Sequence, residues 1–302
     1  PRELVVLLGV IASVDVLIRG LSPLWVALAG LTLIFLSGPR ALYEMFKRRR
    51  DLQITAGGVA GAALLALLWI FTQGTLNILP VGAAVPKKDS TLAVIHIVAS
   101  YIQGWLRETV GILGWLDTQL PGIVYKSWYA IVLGVLLVAV VRGTWRERVV
   151  VATLSALTVV IPLALVSRQA KVLGVVWQGR DGLPLAVGAL IIAVAVCGAP
   201  ARRRAQRAVE RFDVATRQMI ARYTLVAVVG VLAIANMLSF YTNLRRYAVG
   251  RYGPKLFFLH HQGWSPPIGQ LLTLLVYAVV TIALAGVLMT WLWFSQSPSE
   301  YP

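Results

Sequence analysis

The chain has 302 residues, with 28 Lys and Arg against 12 Asp and Glu, for a net charge of +16. Its residues are 58% hydrophobic and only 13% charged, where a soluble domain carries roughly 25% charged residues. The mean hydropathy is +0.78. These figures exclude a soluble globular enzyme, a disordered chain and a disulfide scaffold. The single cysteine, Cys197, has no partner for an internal bridge, and no cysteine cluster exists for zinc or iron–sulfur. What remains is an all-α fold, a polytopic transmembrane helix bundle forming one membrane domain over residues 1–302.

Residue 1 is Pro, and Glu3 and Asp15 flank the first apolar run. No basic n-region and no small-residue cleavage site precede it, so this is not a secretory signal peptide. The chain reads as part of a longer or processed protein. Eight apolar segments follow: about Leu4–Ile18, Leu21–Leu36, Ile54–Thr72, Ser127–Val141, Val149–Val166, Gly182–Gly198, Tyr223–Tyr241 and Ile268–Phe294. Most fit the roughly 17–25 residues that a helix needs to cross the hydrocarbon core; the first two are short. Gly57, Gly58 and Gly61 in the third suit close helix packing.

Cytoplasmic loops collect Lys and Arg. The loops 38–52, 142–148 and 199–222 hold 5, 3 and 7 basic residues, nearly three times the density of the alternate loops. This predicts cytoplasmic termini and places loops 73–126, 167–181 and 242–266 outside. Trp25, Trp69, Trp105, Trp115, Trp128, Trp177 and Trp264 then fall at the outer side, and Trp145, Trp291 and Trp293 at the inner side, as belts of amphipathic rings. The 199–222 stretch has little aromatic interleaving. It reads as a basic cytoplasmic helix at anionic headgroups, with no nucleic acid as partner.

In the outer loop 73–126, Val94, Val98, Tyr101, Ile102, Trp105 and Leu106 recur at helical spacing. This predicts one amphipathic helix over Leu92–Val110, lying on the outer surface. The following Gly111–Pro121 stretch is a Gly/Trp/Pro turn with Trp115 and one acid, Asp117. It could organise a pocket at the lipid–water boundary, or Asp117 could cap the next helix. The 167–181 loop ends in Gln178-Gly179-Arg180-Asp181, where Arg180 could hold a lipid phosphate by paired hydrogen bonds or simply reach to headgroups or to Asp181. In 242–266, Arg245 and Arg246 could bind an anionic lipid or a phosphorylated donor, and Trp264 precedes a Pro pair. His260-His261 makes a poor metal site, since neighbours point apart and no carboxylate is near. Asp15 is paired in expectation with Arg19. No chain of buried acids for a pump, no paired broken helices, no Walker A sequence and no serine triad motif appears.

Three strings, GILGWLDTQLP (Gly111–Pro121), QGRDGLP (Gln178–Pro184) and WSPP (Trp264–Pro267), resemble the predicted actinobacterial membrane proteins grouped as domain of unknown function 2142, over essentially the whole chain as that family's C-terminal part. Asp181 stands where an aromatic or aliphatic residue is more usual. The family is similar to GT-C membrane glycosyltransferases. The resemblance implies an inverting transfer from a polyprenyl-phosphate sugar at the outer face of a bacterial plasma membrane, for cell-envelope glycan assembly. Basic residues would hold the donor phosphate, with Arg180, Arg245 and Arg246 as candidates, and a divalent cation is an option beside them. Asp117, Trp115, Gln178 and Trp264 are the pocket candidates. The catalytic carboxylate of that class lies in an early external loop absent from this chain, so the catalytic residue is unknown. Anionic lipids, the donor and possible further subunits are the partners this implies. A flippase for an envelope lipid and a non-catalytic subunit of a membrane complex are the competing readings.

Overall fold

The computed structural model describes residues 2–18, 20–73, 85–198, 214–256, 258–260 and 263–295. Within hydrocarbon, every backbone N–H and C=O must be satisfied inside its own segment, so apolar runs of this length become helices. In chain order the elements are α1 (Arg2–Ile18), α2 (Ser22–Ser37), α3 (Pro39–Arg48), α4 (Arg50–Thr72), α5 (Thr91–Ala99) and α6 (Ile102–Val110). A two-stranded ribbon follows, β1 (Ile112–Leu113) and β2 (Thr118–Gln119), then α7 (Gly122–Arg142) and α8 (Trp145–Leu173). A 3-10 turn at Gly179–Gly182 leads into α9 (Leu183–Gly198). α10 (Val214–Val249), a second 3-10 turn at Phe258–His260 and α11 (Gln270–Ser295) complete the order.

Each of the eight apolar segments lies largely in a helix, and the helices differ in how well their length fits a span. Among the described residues six helices are long and apolar enough to cross a membrane, or seven if α2 and α3 count as one broken span. α1 has 17 residues and α2 has 16. At 1.5 Å per residue each is about 25 Å long, short of the ~30 Å core. α2 cannot continue because Gly38 takes a left-handed φ of 86° and Pro39 restarts the chain as α3, bent by 105°.

The expected single helix over Leu92–Val110 is broken in two. Its apolar stripe passes through Ser100 unchanged, yet the Ser100 hydroxyl donates to the Ile97 carbonyl at 2.7 Å and the Tyr101 N–H donates to Val98 O at 3.1 Å. These local bonds tighten the turn and end α5. The stripe is also covered by protein. Val94, Val98 and Trp105 form a buried cluster with Val166 and Ala170 of α8, and Lys171 Nζ donates to Asp89 O at 2.6 Å. The basic stretch 199–222 lies outside the described residues up to 213; from Val214 it is the start of α10, continuous with a span.

The chain divides into two compact units, Pro1–Trp105 with Val138–Gly198, and Leu106–Leu137 with Ala199–Pro302. In the first, α1 packs on α4 through Val16, Ala62 and Ala66, and a Cβ added at Gly9 would run into Thr55 Cγ2. Gly9→Leu is therefore expected to force the helices apart and destabilise this unit by about 1–3 kcal/mol, read as earlier thermal unfolding of the reconstituted protein. α8 starts from a reciprocal cap, with the Thr144 N–H donating to Glu147 Oε2 at 2.6 Å. It packs on α9 and α2 through Val150, Leu154, Leu185, Ala189 and Leu28. In the second unit α10 and α11 are joined by Phe240 stacked on Tyr277, ring centres 3.7 Å apart, and by a cluster around Leu244, Ala248 and Phe258.

Candidate functional site

The ribbon after α6 pairs Ile112 with Gln119 and Leu113 with Thr118, leaving Gly114, Trp115, Leu116 and Asp117 as its loop. Gly114 has φ 65° and Leu116 φ 61°. A Cβ at Gly114 would sit 2.6 Å from Asp117 Oδ1, so glycine is what lets the loop close over the carboxylate. Leu116 takes the left-handed region at a cost of roughly 1–2 kcal/mol, and Trp115 stands at the tip, 93% exposed. The base of the ribbon is tied to α7. Tyr125 donates its hydroxyl proton to Gly111 O at 2.8 Å and accepts the Leu120 N–H at 3.1 Å.

Asp117 is not a helix cap. Its carboxylate receives Arg246 Nε at 3.2 and 3.1 Å and Nη2 at 2.5 Å, and the Thr118 hydroxyl at 2.8 Å. Arg246 comes from the last turn of α10, and only 25% of its side chain and 20% of that of Asp117 are exposed. The hydrogen bonds from Arg246, then that from Thr118, hold the acid down to about 2, and the charge of Arg251 adds to this. A carboxylate so stabilised is a poor proton acceptor near neutral pH. It is suited to fixing the loop and the guanidinium.

Arg245 and Arg246 part company, as adjacent helical residues must. Arg245 Nη1 donates to Gly253 O at 2.8 Å and ties down the chain after α10, helped by the Tyr241 hydroxyl on Lys255 O at 2.9 Å. Two of the three phosphate candidates are thus engaged by their own unit. Arg251 stands over the Tyr252 ring at 5.4 Å. Trp264 lies 5.9 Å from the Tyr247 ring, and its carbonyl accepts from Gln270 Nε2 at 3.2 Å.

Arg180 and Gln178 belong to the other unit. Asp181 does not pair with Arg180; its carboxylate accepts the Gln178 N–H at 3.0 Å and closes the 3-10 turn. The Arg180 side chain is exposed and makes no hydrogen bond or ion pair among the described residues, although its carbonyl accepts the Leu183 N–H; Gln178 Oε1 is buried with no partner among them. Asp15 lines an apolar cleft of about 460 Å³ with Trp25 and Pro184; its expected partner Arg19 lies outside the described residues. So do His261 and the side chain of His260, and among the described residues no three His, Cys, Asp or Glu come together to hold a metal ion.

Thr118, Tyr125, Tyr247 and Arg251 escape a reading of the sequence alone. Tyr125 and Tyr247 act through partners farther along the chain, Thr118 and Arg251 through their neighbours Asp117 and Tyr252, and the run of polar residues from Asp117 to Gln119 is itself unusual in so apolar a chain.

The family model of predicted membrane proteins, DUF2142, matches residues 1–189. No curated protein and no solved structure matches the chain. The matched part holds Trp115, Asp117, Gln178 and Arg180 and ends inside α9. The likeness expected over the whole chain is therefore shown for these residues alone, and Arg245, Arg246 and Trp264 lie beyond it. With more than half of its length matched, the chain belongs to the predicted membrane protein family DUF2142.

Proposed function

We propose that the protein takes part in transferring a sugar from a polyprenyl-phosphate donor at the outer face of a bacterial plasma membrane, in the manner of GT-C glycosyltransferases, with both ends of the chain on the cytoplasmic side. The acceptor hydroxyl oxygen would attack the anomeric carbon as its bond to the phosphate oxygen breaks. Polyprenyl phosphate leaves with the bonding electrons, and the hydroxyl proton passes to a carboxylate that these residues do not identify. Asp117 is a poor choice for it, being held ionised by Arg246.

One observation carries the reading. Arg180 is an exposed guanidinium beside Gly179, and the acid on its other side is engaged elsewhere. Arg presents paired donors that match a phosphate. Asp117, Trp115 and Trp264 organise the second unit in this proposal rather than touching the reacting atoms.

The test is donor turnover in membranes carrying the protein, over a panel of polyprenyl-phosphate sugars. A charge-assisted contact is worth about 1.5–3 kcal/mol, so Arg180→Ala should weaken donor affinity roughly 10- to 100-fold, with Arg180→Lys recovering part of it. Unchanged affinity and turnover in Arg180→Ala would remove the phosphate role, and no turnover of any donor would remove the transferase.

A further inference from the structure

We propose that the cleft between α2 and α8 is a binding site for one anionic phospholipid, with its phosphate on Arg146 and an acyl chain in the apolar trough. The cleft holds about 550 Å³, inside the roughly 300–1,000 Å³ range of small-molecule sites. Its walls are Leu28, Leu31, Ile34 and Phe35 on one side and Val149, Val150 and Leu157 on the other; among the described residues the one charge that lines it is Arg146. The trough runs along helices that face hydrocarbon, and the charge stands where α2 ends and α8 begins. That is the arrangement of a lipid, with its tail in the apolar layer and its head at the boundary.

Several of the basic residues near Arg146 are engaged within the fold. Arg48 pairs with Glu44 at 3.8 Å, Arg49 pairs with Asp51, and Arg148 donates to Gly143 O at 2.9 Å and Val141 O at 3.0 Å. Arg146 makes no hydrogen bond or ion pair among the described residues and is exposed. The bend at Gly38 brings the backbone against it, since a Cβ there would lie 3.2 Å from Arg146 Nη1. Trp145 flanks the mouth, edge-on to Phe35 at 5.5 Å. α3 leaves at 105° to α2 with exposed Tyr43, Met45 and Phe46 on one side and Arg40, Lys47 and Arg48 among its residues. Such a helix lies along a headgroup layer. A guanidinium in that layer with no carboxylate of its own recognises a phosphate bearing net negative charge.

This site is separate from the Arg180 turn, and either proposal can fail without the other. The test is native mass spectrometry of the full chain extracted from phosphatidylcholine vesicles containing phosphatidylglycerol. One phosphatidylglycerol should stay bound to the unaltered protein in preference to phosphatidylcholine. Its retention should fall at least about tenfold in Arg146→Gln, as for a lost charged hydrogen bond, and stay unchanged in Arg40→Gln, which alters a charge outside the trough. Thr153→Trp, which fills the trough and leaves the charge, should also lose the lipid, and it carries the test if Arg146→Gln does not fold. Equal retention of the two lipids, full retention in Arg146→Gln, or an equal loss in Arg40→Gln would overturn the site in favour of a diffuse attraction to basic surface.

Discussion

Replacing Asp117 with Asn is expected to release the ribbon loop from α10 and lower the unfolding temperature of the second unit by several degrees. The substitution keeps the volume and removes the charge, leaving the Arg246 guanidinium mostly covered and without its counter-ion. Breaking one partner of a covered pair is worse than removing both. Arg246→Met with Asp117→Asn should therefore be less damaged than the two single changes added together, and a double-mutant cycle measures that difference. Strict additivity would mean that the pair contributes nothing. The pH dependence has a fixed sign. The carboxyl sits at about 2 in the fold against an ordinary 3.8, so its stabilisation is complete above about 3.8 and is lost as the pH falls through about 2. Unaltered protein should lose stability through that window faster than Asp117→Asn.

Tyr125→Phe should open the ribbon from its base. The hydroxyl lies between a buried N–H of Leu120 and the Gly111 carbonyl, and no other group takes over when it goes. An unsatisfied buried polar group costs about 1–3 kcal/mol; with the buried Leu120 N–H left behind, the effect exceeds that of deleting an exposed hydrogen bond. Amide hydrogen exchange at Ile112, Leu113, Thr118 and Gln119 should speed up while α8 and α9 are unaffected. Exchange unchanged at those four residues would show that the ring packing of Tyr125 against Leu120 and Val124 is enough.

The helices were legible because an apolar run leaves the backbone one way to satisfy itself. The boundaries that failed did so for local reasons. The stripe past Ser100 has the right period, and local hydrogen bonds from Ser100 and Tyr101 end the helix there. α1 and α2 read as spans by composition, and both are shorter than the hydrocarbon layer is thick. For the candidate site, Asp117 and Arg246 were each visible as charges out of place, but they lie 129 residues apart and nothing in either neighbourhood names the other. Arg245 and Arg246 read as one basic cluster; a turn of 100° per residue sends them to different partners. For Arg180 the sequence leaves a phosphate, the headgroups and Asp181 all open as partners, and Asp181 meets the backbone three residues back instead.

α1 and α2 have a consequence for the lipid around them. Two helices some 5 Å shorter than the hydrocarbon layer leave the surrounding membrane a choice between exposing tails and compressing. Compression is the milder, at fractions of a kcal/mol per Å, so the bilayer should dimple beside this edge of the protein. A protein that thins its own surroundings would be sensitive to acyl-chain length, favouring short-chain regions and working differently in thick, sterol-like membranes than in thin ones.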